Sequence, residues 1–275
     1  MNSWIRTTIA LALAAPILAL PTPASAGVGD LLVAPTRIIL DGRKGTEIIL
    51  NNIGEEPATY RVSVEFRRML EDGSLEDVKD PSAAEKLAEE MIIYAPRRVT
   101  LAPREPQAIR IAARAPQGIA DGEYRIHLLF RAVPPPEPVV SEAAAKQVKG
   151  VSFQLRPIYG VTIPVIVRLG NLQATAGISD VQIDKSAAGR AISLELSRSG
   201  TRSTFGEVRV LKRGVKDPIA LQRAVAVYTE VGKRRVLVPV DDRFKGEIAG
   251  PVTVQYAETY EDGSRVIAET QTVLH

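Results

Sequence analysis

The most regular signal in the chain is an alternation of apolar and polar residues. Between Thr59 and Phe66, Tyr60, Val62, Val64 and Phe66 share one face, while Arg61, Ser63 and Glu65 share the other. That period of two marks a half-buried strand. Gln107–Ala113 repeats it through Ile109 and Ile111, and Glu123–Val133 through Tyr124, Ile126, Leu128 and Phe130. Shorter apolar runs, Ile38–Leu40 and Glu47–Leu50, flank the turn signal Asp41-Gly42-Arg43-Lys44-Gly45, and Asn51-Asn52-Ile53-Gly54 is a second turn. A later series covers Gly177–Ile183, Ala191–Leu196, Gly206–Leu211, Leu221–Tyr228, Arg235–Val240, Pro251–Thr259 and Arg265–Val273, with Asp262-Gly263 as the last hairpin turn. Short alternating strands separated by frequent turns predict an all-β protein made of two immunoglobulin-like β-sandwich domains.

Two segments depart from this rhythm. Ser82-Ala83-Ala84-Glu85 has the spacing of a capping box, and Ala83–Met91 consists of strong helix formers. It reads as a short connecting helix outside the core. The second departure starts at Pro134-Pro135-Pro136-Glu137-Pro138 and runs without periodicity to Lys149. Prolines cannot donate to a strand ladder, so the strand ending near Val133 must stop there. The stretch Val151–Arg168 then alternates again through Val151, Phe153, Leu155, Val161, Ile163 and Val165, interrupted at Pro157 and Pro164. Prolines inside so long a strand predict an edge strand. A long apolar edge is an aggregation hazard unless it recruits a partner's strand.

The first residues read as an address. Arg6 precedes the short apolar run Thr8–Leu20, and Ala24-Ser25-Ala26 has the small residues of a cleavage site. This predicts a secretory signal peptide over 1–26, an N-terminal domain over 27–169 and a C-terminal domain over 170–275, hinged near Gly170. The apolar run is shorter than the ~20 residues a membrane helix needs, so no membrane insertion of the mature chain is expected.

Composition narrows the chemistry. The 275 residues include no Cys and two His, and carry a formal charge of +3. A disulfide scaffold, a thiol nucleophile and a Cys-based metal site are excluded, and a His-based triad is hard to build. Basic residues come in short groups without interleaved aromatics, which speaks against nucleic-acid binding. His127 reads as a structural histidine. Asp241-Asp242 and Glu261-Asp262 read as turn acids, and no phosphate-cradling glycine loop is present. No catalytic residue, metal or cofactor is expected.

The order of pieces resembles the periplasmic chaperones of the chaperone–usher pilus pathway, the PapD-like family. The residues carrying the likeness are Pro35-Thr36-Arg37-Ile38 before Asp41-Gly42, Leu50-Asn51-Asn52, Pro57-Ala58, the run from Pro96 to Pro103, Gln107-Ala108-Ile109-Arg110, Gly122-Glu123-Tyr124-Arg125, and Arg131 before the proline-rich loop. The resemblance covers most of residues 31–170 and implies two sandwiches set as a boomerang. It also implies pilin subunits and an outer-membrane usher as partners, and a periplasmic location. The strand Val151–Arg168 would be lent to an incomplete subunit, in a register centred on Val151, Phe153 and Leu155 or on Val161, Ile163 and Val165.

The resemblance further implies a pair of cations that hold the subunit's C-terminal carboxylate. Arg37 matches the first. The second position, a Lys in that family, is Pro164 here, leaving Arg156, Arg168 or Arg97 as replacements, with Arg156 preferred. Glu123 and Arg168 match an interdomain charge network, with Glu258 near the place of its third member. The competing expectations are a cell-surface structural or adhesive sandwich protein, which would self-assemble, and an exported hydrolase using paired carboxylates.

Overall fold

The computed structural model describes residues 30–134, 158–185, 190–260 and 263–275. In the first half the chain forms β1 (Leu31–Ala34), β2 (Ile38–Leu40), β3 (Thr46–Asn52), β4 (Ala58–Glu65), β5 (Arg67–Met69), β6 (Leu75–Asp77), α1 (Ala83–Met91), β7 (Ile92–Ala95), β8 (Arg98–Leu101), β9 (Pro106–Ala113), β10 (Gly122–Val133) and β11 (Gly160–Leu169). Two sheets face each other, in the orders β1-β3-β9-β7 and β2-β11-β10-β4-β8. The chain changes sheets between β1 and β2 and between β7 and β8, in each case at a cis X-Pro peptide (Ala34-Pro35 and Ala95-Pro96).

The second half adds β12 (Ala174–Asp184), β13 (Ala191–Gly200), β14 (Thr204–Lys212), β15 (Ala220–Val227), β16 (Lys233–Pro239), β17 (Gly250–Tyr260) and β18 (Gly263–Leu274). Its sheets run β12-β13-β16 and β15-β14-β17-β18. Both halves therefore show the interleaved pairing of immunoglobulin-like sandwiches.

Each sandwich closes over its own core. Tyr60 and Val62 of β4, Ile109 and Ile111 of β9, and Ile126, Leu128 and Phe130 of β10 interdigitate in the first. Leu194, Val208, Val254 and Tyr256 are central to the second. At roughly 1.5–3 kcal/mol per buried aliphatic or aromatic side chain, these inner faces supply the main stabilisation.

Two expectations change, and one further feature was not foreseen. The helix has its capping box, with Ser82 Oγ accepting from the Glu85 N–H and Glu85 reaching back to the Ser82 N–H. It is, however, a core element as well, because Ala88 and Met91 on one face are fully buried. The strand β11 is an edge only in part. Val165–Val167 pair in parallel with Ile38–Leu40, while Gly160–Pro164 have no partner on that side among the described residues. Finally, β5 and β6 form a hairpin that reaches the other sandwich, and Met69, beside its turn, is buried in the second core.

Candidate functional site

The outer face of the second sheet of the first sandwich carries the site. Alternation along β10 turns Glu123, Arg125 and His127 outward, opposite Arg168, Ile166 and Pro164 of β11. Arg37 immediately precedes the Ile38–Val165 pair, which sets it level with Pro164 on the same face. The second sandwich packs against this face, with Ile166 joining its core. Polar side chains on a surface that would ordinarily meet water are thereby enclosed at a junction.

A charge network crosses that junction. Arg168 Nε donates to Glu123 Oε2 at 3.0 Å, and Arg168 Nη2 donates to the Ser203 carbonyl at 2.9 Å. The same Glu123 oxygen accepts from the Ser203 N–H at 3.0 Å and its hydroxyl at 2.9 Å. Beyond Ser203, Arg202 grips both oxygens of Glu258 at 2.5 and 3.0 Å, and Tyr260 donates to Glu258 at 2.6 Å. Burial raises the Glu258 carboxyl, but the bonds from Arg202 and Tyr260 outweigh it and hold the group below its ordinary value. Bidentate, charge-assisted bonds of this kind fix geometry as well as charge.

Arg37 is treated differently. Its Nη2 donates to Ser203 Oγ at 3.2 Å, and its guanidinium lies 4.6 Å from the Phe205 ring centroid and 5.7 Å from that of Tyr228. Its Nε and Nη1 are buried without a partner among the described residues, and Glu123 Oε1 is likewise unmatched. Burial pulls the guanidinium below its ordinary value, opposed by Tyr228 and Glu123 and reinforced by Arg168 and Arg125. Arg37 is thus a half-buried cation with two donors unused, held between aromatic rings.

A second arginine closes the far side. Arg125 donates to both oxygens of Glu230, at 3.1 and 2.5 Å, and stacks 3.7 Å from the Tyr228 centroid. Glu230 also accepts from the Met69 N–H at 2.8 Å, and the Arg235 N–H donates to the Glu71 carbonyl at 2.7 Å, tying the hairpin to the second sandwich.

Of the residues singled out from sequence, Arg37, Glu123 and Arg168 meet at this junction, and Glu258 joins through Arg202 and Ser203. Arg97 stacks on Tyr94 at 5.0 Å, and no contact among the described residues links it to Arg37. Val151, Phe153, Leu155 and Arg156 lie outside the described residues. Ile163 and Val165 are 1% and 0% exposed within the first core, and Val161 packs against it. Their side chains are already used by this chain, which leaves only the backbone edge of that stretch to offer a partner. Ser203, Arg202, Tyr228 and Glu230 were not foreseen. No periodicity marks them, because their roles depend on a junction between distant segments.

No helix among the described residues is long and apolar enough to cross a membrane. No protein-family model matches the sequence, and no curated protein does. Among solved structures the chain is similar to the YadV chaperone (13% identity, TM-score 0.46, covering 89% of this chain and 100% of that one). It is also similar to the Pseudomonas aeruginosa CupB2 chaperone (13%, 0.44, 89% and 100%) and to a chain in the complex of the Salmonella enterica SafA pilin with the SafB chaperone (15%, 0.46, 91% and 99%). Identities and scores of this size do not assign the chain to a family.

Proposed function

We propose that the protein is an exported chaperone of pilus assembly. In this reading residues 1–26 direct it to the periplasm, and it captures pilin subunits that lack one strand and delivers them to an outer-membrane usher. Residues 27–169 and 170–275 are its two working domains, meeting at Leu169-Gly170. The observation that carries the reading is Arg37, whose Nε and Nη1 are buried without partners among the described residues, level with the end of the strand edge Gly160–Pro164, which is likewise unpaired among them. A guanidinium in that state suits a carboxylate, which accepts two parallel N–H bonds and neutralises the cation. The chain end of a captured subunit supplies such a group.

The remaining affinity comes from strand addition. An incomplete sandwich exposes a core groove between two orphan edges. A strand carrying Val151, Phe153 and Leu155 fills the groove with side chains worth roughly 1.5–3 kcal/mol each and pairs the edges with its backbone. Binding of this kind uses backbone hydrogen bonds, apolar side chains and a charged anchor, and requires no reactive group.

Co-expression with a pilin subunit, followed by co-purification, tests the reading. The doubly charged variant Phe153→Asp/Leu155→Asp and the single variant Arg37→Ala are each expected to abolish the complex. A complex that survives both changes refutes strand lending and the carboxylate anchor together. A protein that purifies as a large self-assembly without a subunit supports instead a structural role at the cell surface.

A further inference from the structure

His127 lies in the same row as Arg37. It sits opposite Pro164 on one side and Glu65 on the other, so Arg37, Pro164, His127 and Glu65 follow one another across four adjacent chain segments. Two strand spacings, about 10 Å, separate Arg37 from His127 at the backbone. The residue between them is a proline, which is only partly buried. The two side chains also share a neighbour: the His127 ring meets Tyr228 edge-on at 6.3 Å, the ring against which Arg37 lies.

His127 is 1% exposed, and neither ring nitrogen has a partner among the described residues. Each unmet buried polar atom costs about 1–3 kcal/mol, a cost that leucine would avoid in the same volume. The charged and titratable groups around the imidazole are Arg125 on its own strand, Arg67 on β5, Arg37 before β2, Glu65 opposite it on β4 and Tyr228 of the second sandwich, with Glu230 held on Arg125. Arg125 is matched by Glu230, and Arg67 by Glu65 and Asp77. Only Arg37 among these cations has no carboxylate of its own among the described residues.

We infer that His127 is the second donor of the anion site: Arg37 and His127 together hold the two oxygens of one partner carboxylate above Pro164. The inference rests on the reading of Arg37 as a carboxylate anchor and adds a residue to it. It carries a consequence for pH. Burial first, and then Arg125, Arg67 and Arg37, push the imidazole down to about 3. A bound carboxylate cancels the charge of Arg37 and accepts a hydrogen bond from the ring. Both effects favour the imidazolium, so binding draws in a proton as pH falls below neutrality.

The test uses the full chain and two fluorescein-labelled peptides of alternating valine and threonine, one ending in a free carboxylate and its twin in an amide. Binding is read by anisotropy from pH 8 to pH 5.5. The acid peptide is expected to bind more tightly than the amide, with affinity rising toward low pH. His127→Leu is expected to weaken the acid peptide about tenfold and to flatten the pH profile. His127→Asn, which keeps a donor and cannot titrate, is expected to recover affinity without the pH profile, and guards against a folding defect in the leucine variant. Because the chain has only two His, the ring protons of His127 give a second readout by NMR. They are expected to hold their neutral position to below pH 5 in the free protein and to titrate at higher pH with the acid peptide. If His127→Leu binds the acid peptide with parental affinity and pH profile while Arg37→Ala does not bind it, the role of His127 is refuted and the anchor stands. If Arg37→Ala also binds as the parent does, the anchor itself falls, and the His127 inference with it.

Discussion

At the hairpin end of the junction Arg125 holds both oxygens of Glu230, Glu230 takes the Met69 N–H, and Met69 enters the second core. At the opposite end Arg37, Glu123 and Arg168 all bond to Ser203, yet among the described residues Arg37 has two donors and Glu123 one oxygen without a partner. Both ends bury arginine against Tyr228, so burial alone does not separate them. The difference lies in pairing. A buried ion pair with every partner in place fixes one geometry, whereas an unmatched buried donor is a standing cost that binding an anion relieves. One end reads as a joint, and the other has the unmet donors that the proposed anion site, the receptor end, requires.

Glu123 is the sharpest point at which to break this contrast, because it lies at the Arg37 end and yet is itself paired across the junction, to Arg168 and Ser203. Its side chain is 1% exposed and takes three donors on one oxygen. Glu123→Leu strips Arg168 of its carboxylate and leaves it beside Arg37, and about 3–5 kcal/mol of stability should go with it. Urea unfolding checks this; a loss below about 1 kcal/mol means that the network contributes no structure.

Next in size is Met69→Ala, which removes the apolar foot of the hairpin. Truncating a buried methionine costs about 2–5 kcal/mol. Because that foot stands in the other sandwich, calorimetry should show the second core melting earlier, with a transition that separates from the first. A single transition shifted as a whole would mean that the hairpin serves both sandwiches equally.

Between the two ends lies His127, whose effect is set by pH. Its folded value of about 3 lies below the ordinary 6.5. Between those limits the unfolded chain binds the proton and the folded chain does not. Stability is therefore full above about pH 6.5 and drains away as pH falls toward 3. From pH 7 to pH 5 the loss should be about 2 kcal/mol. Glu85, held at about 2 chiefly by Arg68, lowers stability only below its ordinary 4.5, so the windows are distinct. Urea unfolding of His127→Leu over the same range should show no such slope; an unchanged slope assigns the effect elsewhere.

Much of the fold was legible because it is written in local alternation. The inward residues of β4, β9 and β10 could be read in order, as could the helix from Ser82 and Glu85. The hairpin of β5 and β6 could not. Its strands are three residues each, rich in charge, and held by Met69 reaching a core more than a hundred residues away in sequence. The short parallel pairing of β2 with β11 was hidden for the same reason, since contact between Ile38–Leu40 and Val165–Val167 leaves no mark on either segment. At the site, Arg37 stood out only through its neighbours in a resemblance. Ser203 was invisible: it acts through its backbone N–H and carbonyl as much as through its hydroxyl, and any residue type has those.

The smallest expected effect is the most direct test of joint against receptor. Arg37→Met and Arg125→Met each replace a guanidinium lying over Tyr228 with an apolar chain of similar length. Arg125→Met orphans Glu230, whose oxygens hold the Met69 N–H, and about 2–4 kcal/mol of stability should be lost. Arg37→Met removes two unmatched donors and orphans no carboxylate, since Glu123 keeps Arg168 and Ser203. Its stability should stay within about 1 kcal/mol of the parent, on either side, because lost stacking and relieved desolvation oppose each other. Urea unfolding of the two variants, measured beside subunit binding, separates the roles: Arg125→Met should lose stability first, and Arg37→Met binding alone. If Arg37→Met unfolds as easily as Arg125→Met, Arg37 is part of the joint, and the anion site must be sought elsewhere on the junction.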